Sequence, residues 1–544
     1  MFRILILGIV LCLVACQDPK TTVDLIVSNA KIYTVDEAFS TAQSMAVSDG
    51  KIVAVGTDAD IDSKYEALNR IDAQGNTLFP GLIDAHAHFY NLGVQQLQVD
   101  LVDTQSVDEI IERLKQFAAE KNPQFLIGRG WDQNDWEIKE FPTKEMLDAV
   151  FPDLPVALTR IDGHSLWVNS KALDMAGITK TTKVSGGEVV LKNGQPSGIL
   201  VDAPMQLVRN VIPELSRKQQ VQALIDAQDI SFANGLTTIS DAGLSRDVIE
   251  LIDSLQKTGD LKMRLYAMVS NNPDELDYFL EKGVIKTDRL HVRSVKVYAD
   301  GALGSRGACL HEPYSDLPGH YGAMITTQEA LFDLAAQIAK SDYQMNTHAI
   351  GDSANTAVIK AYKTVLKDDQ DRRWRIEHAQ VVRPEDFDAF SLNILPSIQP
   401  THATSDMYWA TDRLGDTRIK GAYAFKTLLD KAGKVALGTD FPVEKVSPFL
   451  TFYAATTRQD TKLYPDGGFM PQERLSREET LRGMTIWAAY SNFEETEKGS
   501  LEVGKVADFV LLDKNLMEVP FSEIPETTVL YTVLNGEIVF KKVR

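Results

Sequence analysis

At 544 residues, with 44% hydrophobic and 24% charged residues, the chain has room for one large catalytic domain and an accessory domain. The same balance excludes fibrous, low-complexity and disordered classes. A formal net charge of −20 argues against a nucleic-acid partner, because phosphate recognition rests on clustered Lys and Arg.

The first segment reads as an address. Met1-Phe2-Arg3 carries one positive charge, residues 4–15 are apolar, and "LVAC" leads into polar "QDPKTT". Residues 1–15 therefore read as a secretory signal, too short to span a membrane as a helix. The "LVAC" ending resembles a lipoprotein cleavage box, which would make Cys16 the acylated first residue of an exported, membrane-anchored, periplasm-facing protein. Cleavage removes Cys12, so only Cys16 and Cys309 remain. With no disulfide framework, the fold must be held by its core.

Residues 23–35 and 45–56 alternate apolar and polar positions around Asn29 and around Asp49-Gly50, the hairpin signal, and read as a small antiparallel sheet. Near the other end, 505–513 and 528–540, with an Asn535-Gly536 turn, read the same way. Residues 17–78 and 491–544 are therefore expected to form the two halves of one β-sandwich, since domain termini often lie close together. Between them, β-rich runs at 82–88, 236–243, 262–270, 292–301, 343–352, 373–380, 393–400 and 434–442 alternate with helical stretches such as 217–234 and 328–341. Eight strands followed by helices predict an α/β fold, a (β/α)8 TIM barrel over 79–91 and 217–490. Residues 92–216 interrupt it after the first strand. They contain strand-like pieces and a probable hairpin at Asn193-Gly194, and are expected to form an inserted cap subdomain rather than a structureless loop.

Polar residues then gather where such a barrel keeps its chemistry, at the C-terminal ends of its strands. The first strand ends in His86 and His88, the fourth carries Lys296, the fifth His348, the sixth His378 and the eighth Asp440. Residues two apart on a strand point to the same side, so His86-x-His88 can bind one cation with both imidazoles. Imidazole with carboxylate suits Zn2+, and also iron or manganese.

The motifs "GLIDAHAH", "VKVYADGALGSR", "NTHAIGD", "IEHAQ" and "ALGTDFPV" together resemble the metal-dependent amidohydrolase superfamily, in the branch of large enzymes similar to N-substituted formamide deformylases. That resemblance covers nearly the whole chain after the signal. It implies a metal pair held by His86 and His88 on one side and His348 and His378 on the other. It also implies that Lys296 is carboxylated and bridges the two metals, and that Asp440 both ligates a metal and acts on the bridging water. A lysine beside two cations should have a lowered pKa, leaving the neutral amine that takes up carbon dioxide. The implied reaction is hydrolysis of a non-peptide C–N bond, in an amide or N-substituted formamide, by water activated at the metals, with Asp440 as general acid-base.

For substrate contacts, Asp132 and His164 in the insertion and Asp300 with Arg306 in "ADGALGSR" are the candidates. Asp162 and Asp300 precede glycines and serve equally well as turn residues. Two other readings stay open on sequence alone: a one-metal aminohydrolase acting on a cyclic amidine or heterocycle, and a non-catalytic binding lipoprotein on the same barrel. The expected partner is a small molecule, and homo-oligomerisation is undetermined.

Overall fold

The computed structural model describes residues 19–543, apart from 162, 164, 185–186 and 368–370. The expected signal segment, Cys16, Asp162 and His164 lie outside the described residues.

The central sheet has eight parallel strands, β1 (Leu82–Ala87), β2 (Leu236–Leu244), β3 (Arg264–Ser270), β4 (Leu290–Tyr298), β5 (Gln344–Ala349), β6 (Trp374–His378), β7 (Ile394–Ile398) and β8 (Ala436–Leu437), with the short strand Ile285–Lys286 paired antiparallel to β4. Each pairs with the next in chain order. Long buried runs such as "LTTISDAGL" on β2 and "RLYAMVS" on β3 suit strands covered on both faces, as in a parallel barrel. The last gap closes just beyond β8. Asp440 N–H donates to His86 O and His88 N–H donates to Phe441 O, both at 2.8 Å. The buried Asp84 carboxylate on β1 reinforces this seam by accepting from Thr439 N–H (3.1 Å) and Thr439 Oγ1–H (2.7 Å). Gly438 is required there, because a Cβ at that position would lie 2.5 Å from His86 N.

Both ends of the described residues meet in β structure beside the barrel. A four-stranded sheet is made of Lys51–Gly56, Ser44–Ser48, Thr21–Ser28 and Tyr65–Asp72. A six-stranded sheet joins Glu537–Lys541, Val529–Leu534 and Phe509–Leu512 to Thr77–Pro80, Lys31–Tyr33 and Thr41–Ala42. Val27, Met45 and Val47 of the first sheet bury in one apolar cluster with Ile32, Leu78, Phe509 and Val533 of the second. This corrects one sequence expectation: Asn29 (φ 53°) is not a hairpin turn but the point at which the chain passes from one sheet to the other. The first sheet is also mixed, since Thr21–Ser28 pairs in parallel with Tyr65–Asp72. The physical reason is burial: splitting the two runs between sheets lets Val27 and Ile32 cover one shared core. Asp49-Gly50, with φ of 50° and 71°, does form the antiparallel hairpin, as this dipeptide should.

Residues 99–202 contribute a third sheet of six strands, ordered Gly187–Lys192, Gln195–Asp202, Ser165–Val168, Val156–Arg160, Leu126–Trp131, Val99–Asp100. Period-two alternation loads both of its faces. Val156, Leu158 and Trp167 pack with Ile110 and Leu114, whereas Ala157, Leu166 and Val168 pack with Leu173, Met205 and Val208.

Opposite the mouth, the barrel is bolted to the terminal sheets by charge. Arg264, at the start of β3, donates to Asp508 through Nε (2.6 Å) and Nη2 (3.2 Å), with both side chains about 3–4% exposed. Asp508→Ala would strand a buried guanidinium and is expected to cost about 3–5 kcal/mol of stability. Chemical unfolding checks this. The paired apolar replacement Arg264→Met with Asp508→Leu should recover most of the loss.

Candidate metal centre

The strand ends deliver five of the six predicted ligands to one cluster, and the loop after β8 delivers the sixth, Asp440. His86 is fully buried, and its Nε2 lies 3.1 Å from Lys296 Nζ. Lys296 is 1% exposed, so its side chain enters the barrel rather than reaching solvent. His88 Nε2 and His86 Nε2 lie 3.2 and 3.5 Å from the same oxygen, Asp440 Oδ1. The His378 ring sits 4.8 Å from His86 and 4.5 Å from His348, centroid to centroid. Tyr298 flanks His348 on another side, at 5.6 Å.

The backbone aims these groups at some cost. His378 (φ 72°) and Asp440 (φ 63°) are non-glycine residues in the left-handed region, a conformation costing on the order of 1 kcal/mol or more each. Such strain persists where surrounding structure over-determines it, and it clusters at functional sites.

Among the predicted ligands, three buried atoms have no hydrogen-bond partner: His348 Nε2, His378 Nδ1 and Asp440 Oδ1. Buried polar atoms are normally satisfied, so three such atoms among imidazoles and a carboxylate fit a divalent cation. Asp440 lies within 4.8 Å of the ligand-type atoms of His86 with His88 and of His378 with His402, but both ring nitrogens of His402 are already engaged by carboxylates. At His348 and His378 the protonation state agrees with that use. Burial, then the charge of Lys296, holds His348 down at about 3. Burial and its histidine neighbours hold His378 far below the usual range. Both are thus neutral, as a ligand must be. Burial likewise lowers the Lys296 ammonium, against the pull of Glu377 and Asp440.

Two members of the cluster were not in the predicted set. Glu377, fully buried, hydrogen-bonds His86 Nδ1 and so presents Nε2 toward Lys296 and Asp440, the carboxylate–imidazole arrangement that typically orients a metal-binding histidine. Burial works against its ionisation, but His86 and Arg375 outweigh that and hold it at about 2. His402, on the helix Pro400–Asp406 after β7, lies 3.2 Å from Asp440 Oδ2. Burial opposes its protonation, yet hydrogen bonds to Asp440 and Glu444 raise it to about 10. The only trace of Glu377 in sequence was its place before His378. Neighbours on a regular strand face opposite ways, and the positive φ at His378 is what lets both serve the same cluster.

The substrate candidates fare differently. Asp300 is fully buried and accepts from the backbone N–H of Cys309 (2.8 Å), Ile350 (3.0 Å) and Gly351 (2.7 Å). Those bonds clamp the loop after β4 to the end of β5, a scaffold role beside His348, whose Nε2 is 3.7 Å away. Arg306 forms a two-point pair with Asp316 at 3.1 and 2.8 Å, and Arg413 joins the same carboxylate. Asp132 caps the turn at Asn134 (2.9 Å) and pairs with Arg160. Their contacts tie loops together. His164 lies outside the described residues.

A nearly closed parallel barrel with imidazoles and a carboxylate at its mouth defines a metal-dependent hydrolase. The amidohydrolase family model Amidohydro_3 matches residues 70–540, and the chain belongs to that family. It is 34% identical over 535 residues to the protein LONG AFTER FAR-RED 3 of Arabidopsis thaliana, covering 94% of this chain and 91% of that one. It is 26% identical over 548 residues to the N-substituted formamide deformylase of Arthrobacter pascens, covering 95% and 98%. Among solved structures, an uncharacterized metal-dependent hydrolase from Pyrococcus horikoshii superposes with a TM-score of 0.78 at 28% identity, over 91% of this chain and 99% of that one.

Proposed function

We propose that the protein hydrolyses a non-peptide C–N bond in a small amide or N-substituted formamide. The observation that carries this reading is the trio of unpartnered buried ligand atoms on His348, His378 and Asp440, set beside His86, His88 and Lys296. In this reading two divalent cations, Zn2+ by donor type, would be held by His86, His88, Asp440, His348 and His378, together with Lys296 once carboxylated. When bound, the metals would supply a water of lowered pKa and a polarised substrate carbonyl.

The chain's own groups do the rest. Lys296, buried and held toward its neutral form, is suited to add carbon dioxide at Nζ, the new N–C bond forming as one N–H proton leaves, so that a neutral amine becomes an anionic carbamate. Asp440 Oδ1 takes a proton from the attacking water and returns it to the departing nitrogen. Glu377 keeps His86 in the tautomer that offers Nε2. The phenol ring of Tyr298, beside His348, lines the approach. The sheet formed by residues 99–202 serves as the cap over the substrate.

A panel of N-substituted formamides, acyl amides and heterocycles tests the reading, with the protein assayed before and after chelation. Release of formate and amine, lost on chelation and restored by divalent cation, is the expected result. Ammonia release from the heterocycles alone would replace it with the aminohydrolase, and no turnover at all with the binding lipoprotein.

We further propose that residues 1–15 direct export and that Cys16 carries a lipid anchor that tethers the protein at a membrane facing the periplasm. Cys16→Ser should move the protein from the detergent phase to the aqueous phase on phase separation. An unchanged partition would remove the anchor.

A further inference from the structure

β7 leads at once into the helix Pro400–Asp406, and β8 into a loop whose first turn is closed by Val443 N–H donating to Asp440 O at 2.9 Å. His402, on that helix, stands between two carboxylates of that loop. Its Nε2 lies 3.2 Å from Asp440 Oδ2 and its Nδ1 3.1 Å from Glu444 Oε1. Glu444 is itself held by Ser405 Oγ–H at 2.7 Å. The side chains of His402 and Asp440 are only 12% and 8% exposed, so water competes little for these bonds.

An aspartate's terminal torsion is broad and two-fold, so an unheld carboxylate could present either oxygen, or neither squarely, to a neighbour. At Asp440 the choice is made. Oδ2 is engaged by His402, and Oδ1 is left without a hydrogen-bond donor, 3.2 Å from His88 Nε2 and 3.5 Å from His86 Nε2. We propose that His402, braced by Glu444, is a positioning residue that locks the Asp440 carboxylate with Oδ1 turned toward the β1 histidine pair. This rests on the reading of the cluster as a metal centre. Groups that hydrogen-bond a ligand from behind in this way commonly govern its metal affinity. The brace also couples two loops: the ligand on the β8 loop is set by a residue carried on the β7 helix.

The test is Co2+ binding to the purified full chain, followed by visible absorption, with thermal unfolding as the control for folding. His402→Phe is expected to weaken Co2+ binding by about 10–100-fold and to shift the visible bands, with the unfolding midpoint little changed. His402→Gln, whose amide N–H can donate to the same oxygen, should recover part of both. Glu444→Ala should move the same readings in the same direction by less, and decides the matter if His402→Phe does not fold. Wild-type affinity and bands in the folded variant would overturn the positioning role while leaving the metal centre standing. Failure of the wild-type chain itself to bind Co2+ would overturn both.

Discussion

Asp440→Asn is expected to lower kcat by about 10²–10⁴-fold on any substrate the panel identifies, the usual contribution of a positioned general acid-base. The carboxylate is placed for that work by its surroundings. Burial favours the protonated acid, but the hydrogen bond from His402 to Oδ2, with the imidazoles of His88 and His86 close by, holds Asp440 well below the ordinary carboxylate range. It is therefore an anion with one oxygen unpartnered, able to receive a proton from water. Asparagine has the same shape and keeps one carbonyl oxygen but cannot take up that proton. Because Asp440 is also proposed as a ligand, metal content must be measured on the same sample. A fall in kcat at full metal occupancy isolates the proton-transfer role. Activity within about threefold of wild type at full occupancy would assign the base elsewhere.

Lys296→Ala is expected to reduce metal content from about two ions per chain to about one. The position allows little else for a lysine. Its amine is buried, lies 3.1 Å from His86 Nε2, and stands 5.0 Å from the centroid of the Tyr298 ring. A protonated ammonium there would oppose a cation, whereas a carbamate would attract two. Wild-type protein dialysed free of carbon dioxide should lose the same ion and regain it with bicarbonate, a reversal that the alanine variant cannot show. One ion per chain in both proteins would point to a mononuclear enzyme with an unmodified lysine, and favour the ring aminohydrolase. Deleting the lysine stem from a packed interior also creates a cavity, so the variant's unfolding midpoint belongs beside its metal content.

What the sequence by itself determined is the periodic and local part of this protein. Strand runs broken by glycine and asparagine turns, with helical stretches between, are readable because side-chain alternation and φ > 0 turns are short-range. His86, His88, Lys296, His348, His378 and Asp440 were legible for the same reason: each lies on a predicted strand, most of them toward its C-terminal end, and barrel topology sends those ends to one mouth. Tertiary structure alone decided what depends on long-range contact. The passage of the chain between sheets at Asn29 follows from a shared core built by residues more than 400 positions apart, such as Val27 and Phe509. The clamp made by Asp300 needed three backbone amides from two loops to exist before it could be seen. Glu377 and His402 joined the cluster through a left-handed backbone at His378 and a helix that starts just past β7. No spacing rule encodes either: Glu377 on β6 and His86 on β1 lie 291 residues apart, and His402 meets Asp440 only because the helix after β7 packs against the loop after β8.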